Sequence, residues 1–158
     1  RWLALAEKHH LPRMASVQNE YSLLCRQFDS DWAEFSLRED MPLLAFSPLA
    51  TGLLSGKYAG DVIPEGTRRA VNPTLGGRIT AQVFPAVAAY LGIAARHGLD
   101  PCQMAIAFCL TRPFVTVPII GATSVAQLGV NIAAADLVLS AEVLDEIDAV
   151  HRAHPQPY

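Results

Sequence analysis

Three times in 158 residues an extended apolar segment is followed by a helical pattern, and that alternation marks parallel βα units rather than hairpins. The extended segments fall at residues 14–18, at 43–47, and at 119–121 with 115–117 leading in. Parallel strands cannot be joined by tight turns, so the intervening polypeptide must cross over as helix. The expected fold class is therefore α/β, built as one domain at this length. Pro118 cannot donate to a ladder and is expected at the first position of the third strand.

The helical segments have readable starts and stops. Residues 2–10 read as the last turns of a helix stopped by Pro12, with Lys8, His9 and His10 where cations suit a carboxyl end. A chain that opens at Arg1 inside such a helix is expected to have had polypeptide upstream. Residues 31–39 predict a short amphipathic helix with Trp32, Phe35 and Leu37 as its apolar residues. A longer helix is predicted over 81–97, where Val83, Val87, Tyr90, Leu91 and Ala94 share a face and Gly98 takes the left-handed cap. Asp100-Pro101 restarts a helix as cap and first-turn proline, Met104, Ala105, Phe108 and Cys109 lie on one face, and Arg112-Pro113 ends it. Ser124 caps the helix that carries residues 127–135. Ser140 caps the last one, with Val143, Leu144, Ile147 and Val150 as its buried stripe.

Composition narrows the function classes. Apolar residues make up 51% and charged residues only 17%, which fits an alanine-rich helix-and-sheet protein and also a surface that is buried against something else. A net charge of −3 without a basic stripe offers nothing to a nucleic-acid backbone. No apolar run approaches the ~20 residues that span a bilayer, and no leader pattern opens the chain. Cys25, Cys102 and Cys109 form no CxxC pair, and three scattered thiols suit a reducing, cytoplasmic setting.

Chemistry in parallel α/β proteins gathers at the carboxyl ends of strands. Gln18 is expected to end the first strand, Phe46-Ser47-Pro48-Leu49 the second, and Gly121-Ala122-Thr123-Ser124 to join the third to a helix start. That last turn is either an ordinary serine cap or a phosphate site at a helix amino terminus. Phe46 either packs beside Leu43 and Leu44 or stacks on a flat ring. Gln18 and Asn131 each donate and accept, which suits a carboxamide or an adenine edge as well as a plain structural bond. Residues 57–80 are rich in Gly, Pro and Asn without period, and carry Lys57, Arg68, Arg69 and Arg78 against Asp61 and Glu65. A loop of that length usually has a task; its cations either close over phosphates or are simply solvated.

Taken in order and spacing, Gln18-Asn19-Glu20-Tyr21, Phe46-Ser47-Pro48-Leu49 with Ser55-Gly56-Lys57-Tyr58, and Gly121-Ala122-Thr123-Ser124 with Gln127 and Asn131 closely resemble the C-terminal half of the aldo-keto reductases. The resemblance covers essentially residues 1–158. It implies a partial (β/α)8 barrel, with this chain supplying strands six to eight, that binds NADP(H) across its carboxyl face. Gln18 would then bond the nicotinamide carboxamide and Phe46 would stack on the ring. Ser47, Pro48, Leu49, Ala50 and Thr51 would line the pyrophosphate, with Lys57 and Arg68 closing over it from the 57–80 loop. Gly121, Thr123 and Gln127 would face the 2′-phosphate and Asn131 the adenine. Phe46 stands where Tyr or Trp is frequent, Gln127 where some relatives have Arg, and Val130 where some have an acid, so NADPH and NADH both remain open.

The family's catalytic Tyr, Asp, Lys and His come from the first four strands, and no segment here resembles them. Tyr21, Tyr58, Tyr90 and Tyr158 have no Lys and Asp nearby in the family's order. His151-x-x-His154 has metal-like spacing, although cations at a helix end explain it as well. The resemblance therefore implies a cofactor-binding portion, with no catalytic and no metal residues, of an enzyme that reduces aldehydes or ketones by hydride transfer. A nucleotide-sensing or assembly module and a truncated remnant are the alternatives. Two unpaired strand edges carry the further expectation of self-association or of pairing with a missing N-terminal half.

Overall fold

The computed structural model describes residues 1–158 and is an α/β fold with one three-stranded sheet. Its strands are β1 (Val17–Glu20), β2 (Leu43–Phe46) and β3 (Thr116–Ile119), parallel throughout and ordered β1-β2-β3. The helices are α1 (Trp2–Lys8), α2 (Gln27–Asp31), α3 (Ala33–Arg38), α4 (Arg68–Val71), α5 (Val83–Arg96), α6 (Pro101–Leu110), α7 (Val125–Ala133) and α8 (Ala141–Ala153). No single helix is long and apolar enough to cross a membrane.

The caps form as their residues dictate. Asp100 accepts from the backbone N–H groups of Cys102 and Gln103, Ser124 from Gln127 and Ser140 from Val143. Gly98 follows α5 at φ +64°, a conformation a Cβ would disfavour.

Three expectations need correction. The first strand starts at Val17, not Met14, because pairing begins where the Val17 N–H finds the Pro42 carbonyl at 3.0 Å. Gln18 consequently lies mid-strand, and Glu20 ends β1. The third strand runs Thr116–Ile119 rather than 119–121, so Pro118 sits inside β3 rather than at its start. The Leu43 N–H donates to the Val115 carbonyl, so the alternation of a parallel ladder turns the odd-numbered residues of β3 toward β2. The nitrogen of Pro118 then faces away from β2, where a missing donor removes no ladder bond within this sheet. Finally, the 31–39 helix is shorter, Ala33–Arg38, with a separate α2 ahead of it at Gln27–Asp31, and Trp32 (43% exposed) and Leu37 (52% exposed) are not core residues. The core anchor is Phe28 of α2, at 1% exposure.

The two faces of the sheet differ. Leu43 and Ala45 are fully buried in the cluster formed with α5, α6 and α8. The opposite face carries Gln18, Leu44, Phe46, Val117 and Ile119, with Val117 and Ile119 at 47% and 44% exposure. Beyond β1, Tyr21 stacks on Phe108 at 6.1 Å and meets Phe114 edge-on at 5.9 Å. Its hydroxyl donates to Asp29 at 2.7 Å, and Asp29 also accepts from Arg26 (2.9 Å) and Arg112 (3.3 Å). Arg26 reaches on to Asp148 of α8 at 2.7 Å. This network ties the segment after β1 to the end of α6 and to α8.

His151 lies against the same network with Nδ1 buried and unpartnered. Burial, with Arg26 next, lowers its pKa, and Arg112 adds to that while Asp29 and Asp148 oppose it. The unfolded chain takes up this proton near the ordinary value of about 6.5, whereas the folded chain resists it. Stability present above about pH 6.5 is therefore lost as pH falls below it toward the lowered folded value. Denaturant melts should show a shallower loss over that window in His151→Gln than in the parent, and equal slopes would contradict the assignment.

Candidate functional site

Register sets the site. Glu20, Phe46 and Ile119 are paired across the sheet, so the three strands end level and their outgoing segments leave from one edge. With strands about 4.8 Å apart, those exits lie within roughly 10 Å of one another.

The turn after β2 is conformationally costly. Ser47, Ala50 and Thr51 have φ of +54°, +47° and +57°, followed by Gly52 at +99°. For β-branched Thr51 this is an outlier, the kind of local strain that concentrates at ligand sites. Internal bonds hold it: Ala50 N–H to Ser47 O at 2.8 Å, Gly52 N–H to Leu49 O at 2.9 Å, and the Ser55 hydroxyl to Gly52 O at 2.7 Å. Pro48, Ala50, Leu53 and Leu54 are buried beneath. Leu49 and Thr51 are half-buried. A Cβ on Gly52 would stand 2.7 Å from Lys57 Cε and 3.0 Å from Nζ, so the lysine side chain lies directly over this glycine.

The 57–80 loop is more ordered than its composition predicts, holding a 3₁₀ turn at Ala59–Asp61 as well as α4. Its four cations divide into two pairs. Arg69 is 4% exposed, pairs with Asp61 and donates to the Val62 carbonyl at 3.1 Å. Arg78 pairs with Glu20. Lys57 and Arg68 are exposed and pair with no acidic group.

The third exit is pinned from its own helix. Gln127 Oε1 accepts from the Thr123 N–H and hydroxyl, both at 3.0 Å, and Asn131 Nδ2 donates to the Gly121 carbonyl at 3.3 Å. Asn131 is 6% exposed, so it braces the turn from below. Gly121 needs its lack of a side chain for neither reason seen elsewhere in the chain. Its φ is not positive, and an added Cβ would meet nothing within 4 Å. The backbone above it is open, and the first-turn N–H groups of Val125 and Ala126 have no intrahelical acceptor.

Gln18, exposed on the open face, is opposite Leu44, and half-buried Phe46 lies two residues further along that face. The structure thus places Phe46, the 47–51 turn with Lys57 beside it, and the 121–127 turn with Asn131 at one end of the sheet, with Gln18 lower than expected and Arg68 exposed on α4. It assigns other work to the tyrosines. Tyr21, Tyr58 and Tyr90 are buried, and burial raises the hydroxyl pKa of Tyr21, Tyr90 and Tyr158. Burial also pushes the thiols of Cys102 and Cys109 up, to about 11 and about 12, leaving them poor nucleophiles. His97, Glu142 and Glu146 converge, but Arg96 and His97 already hold Glu146 and lower its carboxyl pKa, joining α5 to α8. Sequence reasoning missed the buried role of Arg69 and the contact of Lys57 with Gly52. The neighbouring Gly52 and Lys57 in one turn were the available signal for the second; nothing local marks the first.

Gly52→Ala is expected to destabilise the chain by about 1–3 kcal/mol through its φ alone, and to displace Lys57. Gly121→Ala should leave stability within about 0.5 kcal/mol of the parent. Thermal melts of the two variants check this contrast, and equal destabilisation would refute it.

The family model described as "Aldo/keto reductase family" matches residues 2–152. Protein tas of Escherichia coli is 48% identical over 99% of this chain and 45% of its own length. An uncharacterized oxidoreductase of Mycobacterium bovis is 39% identical over 89% of this chain and 43% of its own. A protein of Oryza sativa named as a probable voltage-gated potassium channel subunit beta is 34% identical over 88% and 44%. The chain spans less than half the length of these relatives. On the extent of the family match and the level at which its strand ends carry the motifs, the chain belongs to the aldo/keto reductase family.

Proposed function

We propose that the level strand ends bind NADP(H) and that this chain supplies the cofactor-binding part of an aldo/keto reductase. The observation that carries the reading is the division of the loop cations. Arg69 and Arg78 are consumed internally, while Lys57 and Arg68 stay unpaired, Lys57 lying over Gly52 of the strained turn. Two free cations and exposed amide groups are what a pyrophosphate requires.

The residues present fit the group. Ser47 to Thr51 offer backbone to the pyrophosphate, with Lys57 and Arg68 as counter-charges. Gly121 leaves space that a Cβ would fill, beside the Thr123 and Gln127 side chains for a 2′-phosphate. Asn131 keeps Oδ1 free of any bond within the chain for an adenine edge. Gln18 and Phe46 share the open face where a carboxamide and a ring would lie. When bound, the reduced nicotinamide supplies hydride to an aldehyde or ketone. Gln18 orients the carboxamide, Phe46 shields one ring face from water, and Lys57 and Arg68 neutralise phosphate charge. The proton for the carbonyl oxygen comes from residues outside these 158, because Tyr21, Tyr58 and Tyr90 are buried in the core and Tyr158 is bonded to Glu20.

Calorimetric titration with NADP⁺ should give saturable heat, and Lys57→Ala or Arg68→Ala should each weaken binding about tenfold. The chain mixed with NADPH and a reactive aldehyde should show no loss of the reduced nicotinamide's absorbance. Absence of heat at millimolar nucleotide would overturn the binding reading, and robust turnover the division of labour.

We also propose that the free edges of β1 and β3 and the apolar face between them are covered by further βα units, from additional polypeptide or a second copy. Light scattering of the 158-residue chain should then show concentration-dependent association, and a monomer at every concentration would contradict self-pairing.

A further inference from the structure

At the carboxyl end of β1, three chain segments far apart in sequence meet on one carboxylate. Arg78 grips Glu20 with a two-pronged bond, Nε to Oε1 at 2.9 Å and Nη2 to Oε2 at 2.6 Å, while its Nη1 donates to the Leu75 carbonyl at 2.9 Å. The Tyr158 hydroxyl donates to the same Oε1 at 2.9 Å, and its ring centroid is 5.7 Å from the Arg78 guanidinium carbon. Beside this, the Thr80 hydroxyl donates to the Pro157 carbonyl, and Pro157 is buried. Glu20 and Arg78 side chains are each 16% exposed, where a two-pronged ion pair keeps much of its strength. None of these residues takes part in the proposed phosphate or ring contacts.

Glu20 is the last residue of β1, paired with Phe46 and one step beyond Gln18 on the same face. Arg78 stands at the far end of the 57–80 loop, whose near end is the Gly56-Lys57 turn. Between them the loop is folded on itself by Arg69, Asp61 and Tyr58. The loop is therefore a preformed flap whose far end is held by the Arg78–Glu20 pair together with buried Leu75, and the segment after α8 is fastened to the same carboxylate through Tyr158 and to the loop through Thr80.

We propose that Glu20, Arg78 and Tyr158 form a latch that couples the 57–80 loop to residues 154–158 and so governs how fast nucleotide leaves. They are positioning residues: Glu20 holds Arg78, Arg78 holds the loop that carries Lys57 and Arg68, and Tyr158 completes the carboxylate's bonding. Its functional half rests on the nucleotide reading above; its mechanical half does not. Loss of the carboxylate charge loosens both segments together, since each makes a bond to Glu20.

The test is hydrogen–deuterium exchange of the full chain, with NADP⁺ release followed by stopped flow, in the parent, Glu20→Gln, Tyr158→Phe and Lys57→Ala. Glu20→Gln is expected to raise exchange in residues 62–80 and in 154–158 together by about tenfold or more, and to speed release by a similar factor. Tyr158→Phe, which keeps the ring over Arg78, should loosen both segments less and guards against a Glu20 variant that fails to fold. Lys57→Ala should speed release without altering exchange in 154–158. Exchange unchanged in either segment overturns the latch, and both segments loosened with release unchanged overturns its control of nucleotide. A parent chain that binds no NADP⁺ counts against the nucleotide reading alone, and the exchange data then decide the mechanical half.

Discussion

Parallel pairing in strict register is the constraint on which the remaining structure depends. Because Glu20, Phe46 and Ile119 are opposite one another, every segment that leaves a strand does so at one level, and three turns of different sequence become one surface. A slip of one residue at either ladder would turn Gln18 or Phe46 to the helix-covered face and bury what is now open. The helices enforce the register by burying Leu43 and Ala45 completely against α5, α6 and α8, while the Tyr21–Asp29–Arg26–Asp148 chain of bonds fixes the exit from β1.

Above that frame the chain places strain and openness where a ligand would relieve them. The turn after β2 holds three non-glycine residues at positive φ, a conformation kept only because Leu53 and Leu54 anchor it from below. Across the sheet, Asn131 and Gln127 brace the Gly121 turn from their helix while leaving its outer surface clear. The 57–80 loop keeps two cations free, commits Arg69 to its own folding and commits Arg78 to Glu20 at the end of β1. In a chain under half the length of its relatives, the strand-end surface proposed for nucleotide is thus organised apart from the four tyrosines, three of which are core residues and the fourth bonded to Glu20.

Much of this was legible in the sequence, and what was not has a physical reason. The caps at Asp100, Ser124 and Ser140 were readable because each side chain bonds backbone two or three residues on. The α5 stripe was readable because its period repeats for three turns. The start of β1 is not legible because apolar Met14, Ala15 and Val17 draw the strand upstream of polar Gln18-Asn19-Glu20, which only pairing with β2 makes extended. Trp32 and Leu37 drew attention by size, yet Phe28 is the anchor, because which face is buried depends on Tyr21 and Phe114. Pro118 was set at a strand start for want of knowing that β3 is an edge. The partners of Glu20 lie 58 and 138 residues away, a separation at which no local pattern operates.

The most direct test of a single nucleotide surface is an amide chemical-shift map of the chain titrated with NADP⁺. The expected result is that signals of Ser47–Thr51 and of Gly121–Gln127 move together along one saturation curve, with those of α1 and α3 unmoved. Shifts confined to one of the two turns, or centred on Trp2 and Trp32 instead, would show that the strand ends do not act as one site.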